Sequence, residues 1–177
     1  MATVTGLLID TTREFVPGER ETVVIDSPHQ RIHDGVFFSG GFMDAALANG
    51  ASLEAIFRVV DGAHARIVIS LGGDGTFEGF ENTVVSDPGT PVSVLNRNRF
   101  SPNVATNLLF QGPTITNDGD SLAAEFIFGG SGGQATGGTA TFFLEWILAP
   151  GDHLMRLTND SGQVRRAQMN LDWYEVR

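Results

Sequence analysis

The chain has no cysteine, so disulfides, thiolate zinc sites and thiol catalysis are excluded together. Positive charge is scarce as well. Eleven basic residues against twenty-one acidic ones give a formal charge of −10, which opposes binding to a phosphate backbone and argues against nucleic acid as a partner. No stretch approaches the roughly 18 apolar residues of a membrane span, and the N-terminus lacks a basic region followed by a long apolar stretch. A soluble protein made in the cytosol, with no membrane partner, is expected. Sustained helical periodicity is also missing, and no internal repeat of about 20 to 50 residues stands out.

What is present is turn and strand chemistry. Twenty-two glycines, seven prolines and thirteen phenylalanines favour an all-β domain. At 177 residues the chain suits one domain, able to bury roughly 70% of its unfolded surface without a metal or disulfide staple. Apolar side chains alternate along several rows: Leu53, Ala55, Phe57 and Val59; Ala65, Ile67, Ile69 and Leu71; Val104, Thr106, Leu108 and Phe110; Leu122, Ala124, Phe126 and Phe128. Asn49-Gly50, Asp61-Gly62, Gly72 to Gly75, Asp87-Pro88-Gly89 and Asp118-Gly119 punctuate them with residues that tolerate turn dihedrals.

The last part of the chain is the clearest. Thr141 to Leu148, His153 to Thr158 and Gln163 to Val176 read as strands joined by the turns Ala149-Pro150-Gly151-Asp152 and Asn159-Asp160-Ser161-Gly162. Ala167, Met169, Leu171 and Trp173 share one face, and Arg166, Gln168, Asn170, Asp172 and Tyr174 the other, which implies a sheet with one wet face. About nine or ten strands are expected, packed as a jelly-roll-like antiparallel β-sandwich over residues 31–177. Met43 to Leu47 is the only helical candidate, or else a loop after a strand from Val36 to Phe42.

Residues 1–30 differ. Val4, Leu7, Leu8, Ile9, Phe15 and Val16 are apolar without a period, and Thr22 to Ile25 resembles a short lead-in strand. The segment reads either as an edge strand with a ragged tail or as an extended N-terminal arm whose Leu7, Leu8, Phe15 and Val16 dock on another chain. Gly129 to Gly138 is a low-complexity loop, for which flexibility is the ordinary reading.

Candidate chemistry is thin. Gly129 to Gly133 matches G-x-S-x-G and Gly130 to Ala135 matches G-x-G-x-x-A, but each motif needs a helix after it and the next segment reads as a strand. His29 and His33, beside Asp34, would serve as metal ligands on a helix; the Pro28 context suggests extended backbone, placing them about 13 Å apart. His64 and His153 fall at strand positions by solvated turns. Asp118-Gly119-Asp120 and the set Asp74, Glu78 and Glu81 lack EF-hand spacing for calcium and suit turn acids. Glu125, Glu145 and Asp172 supply carboxylates of which no pair is selected. Neither a cofactor nor a catalytic residue is therefore assigned. Asn96-Arg97-Asn98-Arg99 is the one concentration of positive charge, and the Arg97 and Arg99 forks could reach carboxylates of a neighbouring subunit. Asn159-Asp160-Ser161 is a formal glycosylation sequon, expected to stay unmodified without a secretory signal.

The stretches EWILAPGDHLMRLTNDSG and LDWYE, with RIHDGVFF at Arg31 to Phe38, NRNR at Asn96 to Arg99 and GPTIT from Gly112, resemble small β-sandwich virion proteins of tailed bacteriophages. The resemblance spans roughly residues 31–177. It implies a head decoration, or cement, protein: a jelly-roll subunit, usually a homotrimer, that is assembled in the bacterial host cytoplasm, sits on the capsid surface of the virion and clamps neighbouring capsomers of the major capsid protein. None of these motifs carries a catalytic residue over. The alternative is a receptor-binding or glycan-binding module of the tail or a fibre, which would need an exposed aromatic platform; the alternation buries Trp173 and leaves Tyr174 open.

Ordering an arm costs roughly 1 to 2 kcal/mol per residue of backbone entropy, which burial of Leu7, Leu8, Phe15 and Val16 at roughly 1.5 to 3 kcal/mol each offsets only against another surface. Deleting residues 1–16 is therefore expected to leave the melting temperature of the β domain nearly unchanged while weakening attachment to a capsid or neighbouring subunit, measured by calorimetry and by co-sedimentation with capsids.

Overall fold

The computed structural model describes residues 27–128 and 144–175. Leu7, Leu8, Phe15 and Val16, the lead-in strand and the Gly-rich loop lie outside the described residues. A short helix, α1 (Ser27–His33), precedes thirteen strands: β1 (Phe37–Leu47), β2 (Ser52–Val59), β3 (Ala63–Leu71), β4 (Gly75–Glu81), β5 (Val84–Asp87), β6 (Thr90–Pro91), β7 (Val94–Asn96), β8 (Leu108–Gln111), β9 (Thr114–Asn117), β10 (Asp120–Ile127), β11 (Leu144–Leu148), β12 (Gly151–Asn159) and β13 (Arg165–Glu175).

Every strand pair is antiparallel. One sheet runs β11-β3-β13-β1-β7 and the other β10-β4-β12-β2-β8-β6. The eight strands β1 to β4 and β10 to β13 form two four-stranded sheets, β11-β3-β13-β1 and β10-β4-β12-β2, in the order that defines a jelly roll, with the short strands β6 to β8 added at one side. The all-β sandwich expected from the alternation is what forms.

Its core lies where the two inner faces meet. Ala65, Ile67, Ile69 and Leu71 of β3 and Ala167, Met169, Leu171 and Trp173 of β13 point inward from one sheet. Ala55, Phe57 and Val59 of β2, Phe77 of β4 and Met155 and Leu157 of β12 meet them from the other. Trp173 is fully buried with its ring centroid 5.0 Å from Phe57 and 6.1 Å from Phe38. The rows read from the sequence on β2, β3 and β13 are thus the core rows.

Other expectations are corrected. Met43 to Leu47 is neither helix nor loop: it continues β1, whose residues through Asp44 pair with β13 before a bulge between Asp44 and Leu47. His29 and His33 do not lie on extended backbone. Pro28 occupies the first turn of α1, where a missing N–H costs no helical bond and the fixed φ suits the helix.

The row Val104 to Phe110 is not a strand until Leu108. Val104 and Leu108 are exposed, Leu109 enters the main core, and Phe110 points the opposite way. There it joins Ile56 and Leu154 in a second cluster beneath Val85 of β5 and Ile115 of β9, a two-stranded ribbon that covers part of the outer face. In β10 a bulge between Ser121 and Ala123 changes the parity. Leu122, at the bulge itself, packs on the core and so does Ile127 beyond it, leaving Phe126 and Phe128 exposed.

The expected turns hold, and two glycines separate dihedral from steric need. Gly50 has φ 75° with no atom within 4 Å of a hypothetical Cβ, whereas Gly119, at φ 95°, would place that Cβ 2.0 Å from the Glu81 carbonyl oxygen. Gly50→Ala should cost about 1 to 2 kcal/mol, the left-handed penalty alone. Gly119→Ala should cost measurably more in chemical denaturation, because the β4–β10 pairing must also shift.

Candidate functional site

Strand parity fixes what the outer face of the β3-β13-β1 sheet carries. Because Trp173 points inward, its neighbours Asp172 and Tyr174 point outward. Register then sets Tyr174 between His64 and Phe37, and Asp172 between Arg66 and Ser39. His64 joins two strands: Nε2 lies 2.6 Å from the Glu145 carboxylate, and Nδ1 is hydrogen-bonded to the Tyr174 hydroxyl. The Arg31 guanidinium of α1 stands over the Tyr174 ring at 5.2 Å.

Arg97, at the end of β7, is held in the same corner. It donates to both Asp172 oxygens at 2.9 and 3.0 Å and to the Ser39 hydroxyl at 3.3 Å, and its guanidinium lies 5.4 Å from the Phe37 ring centroid. Its fork is thus engaged within the chain. Arg99 is exposed in the turn that follows, beside a fully exposed Phe100.

Side-chain amides hold that turn rigid. Asn96 donates to the Gly35 and Asn103 carbonyls at 2.9 and 3.0 Å and accepts the Asn98 N–H at 2.8 Å. Asn98 accepts the Phe100 N–H at 3.1 Å and donates to the His33 carbonyl, also at 3.1 Å. Three stretches that carry the phage resemblance, RIHDGVFF, NRNR and LDWYE, therefore meet at one corner although they lie far apart in the sequence. Beside it, Ser39, Gly41, Leu95, Arg97, Asn170 and Asp172 line an open groove of about 600 Å³.

On the opposite sheet Arg156 is the centre of charge. Its Nε donates to Glu54 at 2.7 Å, its two Nη atoms donate to Asp118 at 2.9 Å each, and Glu78 lies 3.9 Å away. Hydrogen bonding to Asp118 and then to Glu54 holds the guanidinium well above its usual range against the opposing effect of burial. The same bonds hold the Asp118 carboxyl below the usual carboxylate range. Arg58 and Asp152 form a second fork, 2.7 Å at both bonds, and Arg58 is raised by it. Two of the acids considered for calcium, Asp118 and Glu78, thus face an arginine, and among the described residues no group of three or more His, Asp or Glu side chains could hold a metal ion.

The sequon has a structural use. Asn159 is fully buried, donates to the Leu47 and Gln163 carbonyls at 2.9 and 2.8 Å, and accepts from Ser161, so its amide pins the β12–β13 turn to the end of β1. Asn107 and Glu175, both buried, tie a long connection to the sandwich: Glu175 accepts the N–H groups of Thr106 and Asn107 at 2.7 and 2.9 Å, and Asn107 accepts that of Val60 at 2.8 Å. No motif in the sequence announces either residue. Of the other acids, Glu145 bonds His64 and Asp172 bonds Arg97, and Trp173 is buried as its parity implied. Comparison with family models, with curated proteins and with solved structures finds no match to this chain.

The Arg156 arrangement makes a signed expectation. A carboxyl depressed in the folded state adds stability that is fully present above its unfolded value and is lost as pH falls through the folded one, so the Asp118 contribution should fade below about pH 4. Arg156→Leu, which leaves three acids facing one another, should cost about 1 to 3 kcal/mol at pH 7 and less near pH 4. Denaturant titrations at the two pH values measure both effects; an equal loss at each would contradict the electrostatic account.

Proposed function

We propose that the protein is a non-catalytic structural component of a tailed-phage head, which binds the major capsid protein across capsomer boundaries as a homotrimer. The sequence stretches cited above suggest the family, and one structural observation supports a contact: the turn at residues 97–100. Its backbone is fixed by Asn96 and Asn98, its base is anchored through Arg97 to Asp172, and it presents Arg99 and a fully exposed Phe100 side by side. A preorganised aromatic and arginine pair loses little entropy on binding and matches the residue types that dominate protein interfaces. A subunit that binds only assembled shell stabilises it by RT ln(1 + [L]/Kd), about 2.7 kcal/mol per site at a hundredfold excess over Kd, repeated over many sites.

The second reading, a glycan-binding module, draws on the groove beside Tyr174 and Phe37, where Asn170 and the Arg97–Asp172 pair offer planar hydrogen-bonding groups. One pair of measurements separates the two. For the decoration role, Arg99→Ala with Phe100→Ala should weaken co-sedimentation with undecorated capsids at least about tenfold, equivalent to 1.4 kcal/mol, with no change in melting temperature. Unchanged capsid binding, together with perturbation of Asn170 and Tyr174 resonances by oligosaccharides from the host cell surface, would favour the glycan reading instead.

A further inference from the structure

We propose that His29 and His33 form a bidentate site for a divalent first-row transition-metal ion of the nickel and copper class. The two side chains lie one helical turn apart on α1, both exposed, with their ring centroids 4.8 Å apart. Their Nε2 atoms approach to 2.9 Å. At a metal–nitrogen distance of about 2.1 Å, two ligands at a right angle stand about 3.0 Å apart, whereas two at the tetrahedral angle stand about 3.4 Å apart. The 2.9 Å approach is a hydrogen-bond contact, and a small rotation of the two rings brings both nitrogens within reach of one ion. Among divalent first-row ions at nitrogen sites copper and nickel bind most tightly, which makes them the expected class.

At this distance the facing nitrogens share one proton, one ring donating from Nε2 and the other accepting. The metal takes the place of that proton. The donor ring moves its proton to Nδ1, both Nε2 lone pairs then face the ion, and no net charge is lost from either ring. Both side chains are exposed, so an ion in solution has access to them.

The backbone beneath is already set. The Asp34 and Val36 N–H groups close the end of α1 on the Gln30 and Arg31 carbonyls at 2.9 and 3.2 Å, the Asn98 amide donates to the His33 carbonyl at 3.1 Å, and Arg31 rests over Tyr174. The Gln30 side chain donates to Asp34 at 2.8 Å along the same stretch of the helix. A seven-residue helix is marginal alone, so its fixed geometry here comes from these anchors, and the ion gains a chelate without having to order the segment.

The test is calorimetric titration of untagged protein with nickel chloride. One ion per chain is expected. His29→Gln and His33→Gln should each weaken binding at least about tenfold by reducing a chelate to a single ligand, while His64→Gln should leave it unchanged. Far-ultraviolet circular dichroism of each variant checks that the sandwich is intact. In parallel, paramagnetic broadening by copper should reach the imidazole signals of His29 and His33 first. Wild-type affinity no greater than that of His33→Gln, or broadening that spares these two rings, would overturn the site.

Discussion

The burial of Trp173 between the two sheets is the contact on which the remaining structure depends. Its indole fills the space between Phe57 of one sheet and Phe38 of the other, and a large aromatic of this kind is not removed from a close-packed interior without a cavity penalty of about 3 to 5 kcal/mol. Because side chains alternate along a strand, fixing Trp173 inward fixes Asp172 and Tyr174 outward. A slip of one residue would exchange them and expose the core row. The outer corner built from Arg31, Phe37, Arg97 and Tyr174 is thus a consequence of core packing on the opposite side of β13.

Charge is organised by one residue type. All eleven basic residues are arginines, and among the described residues Arg31, Arg58, Arg97 and Arg156 each lie over an aromatic ring. Arg58, Arg97 and Arg156 also make paired bonds to a carboxylate. The planar guanidinium permits both at once: its edge meets the carboxylate while its face meets the ring, which a lysine ammonium cannot do. In a chain of net charge −10 these forks hold strand to strand where carboxylates would otherwise crowd on the sheet surfaces.

The turn at residues 97–100 and the helix before β1 are held by the same asparagines. Asn96 and Asn98 bond backbone groups in their own turn and, at Gly35 and His33, in the segment leading to β1. Two surface elements far apart in sequence therefore form one fixed corner. The contact proposed for that corner would draw on this order, because a surface that is already ordered keeps more of its interaction energy on binding.

Period-two alternation is a local property, so the sequence by itself determined the all-β class, the inward rows of β2, β3 and β13, the turns at Asn49-Gly50, Asp61-Gly62 and Asp118-Gly119, and the burial of Trp173. It determined less wherever a second contact overrode the alternation. Ile56, Leu154 and Phe110 are buried on an outer face because the β5–β9 ribbon covers them, and Ile127 replaces Phe126 in the core because a bulge shifts β10. Pro28 suits a helical first turn and an extended chain equally. The anchors at Asn98 and Tyr174, more than sixty residues away, select the helix and bring His29 to His33. Arg97 and Asp172 likewise meet only through the β7-β1-β13 register. The candidate sites are thus tertiary products: each joins residues that no local period relates, or one local conformation that only distant contacts could choose.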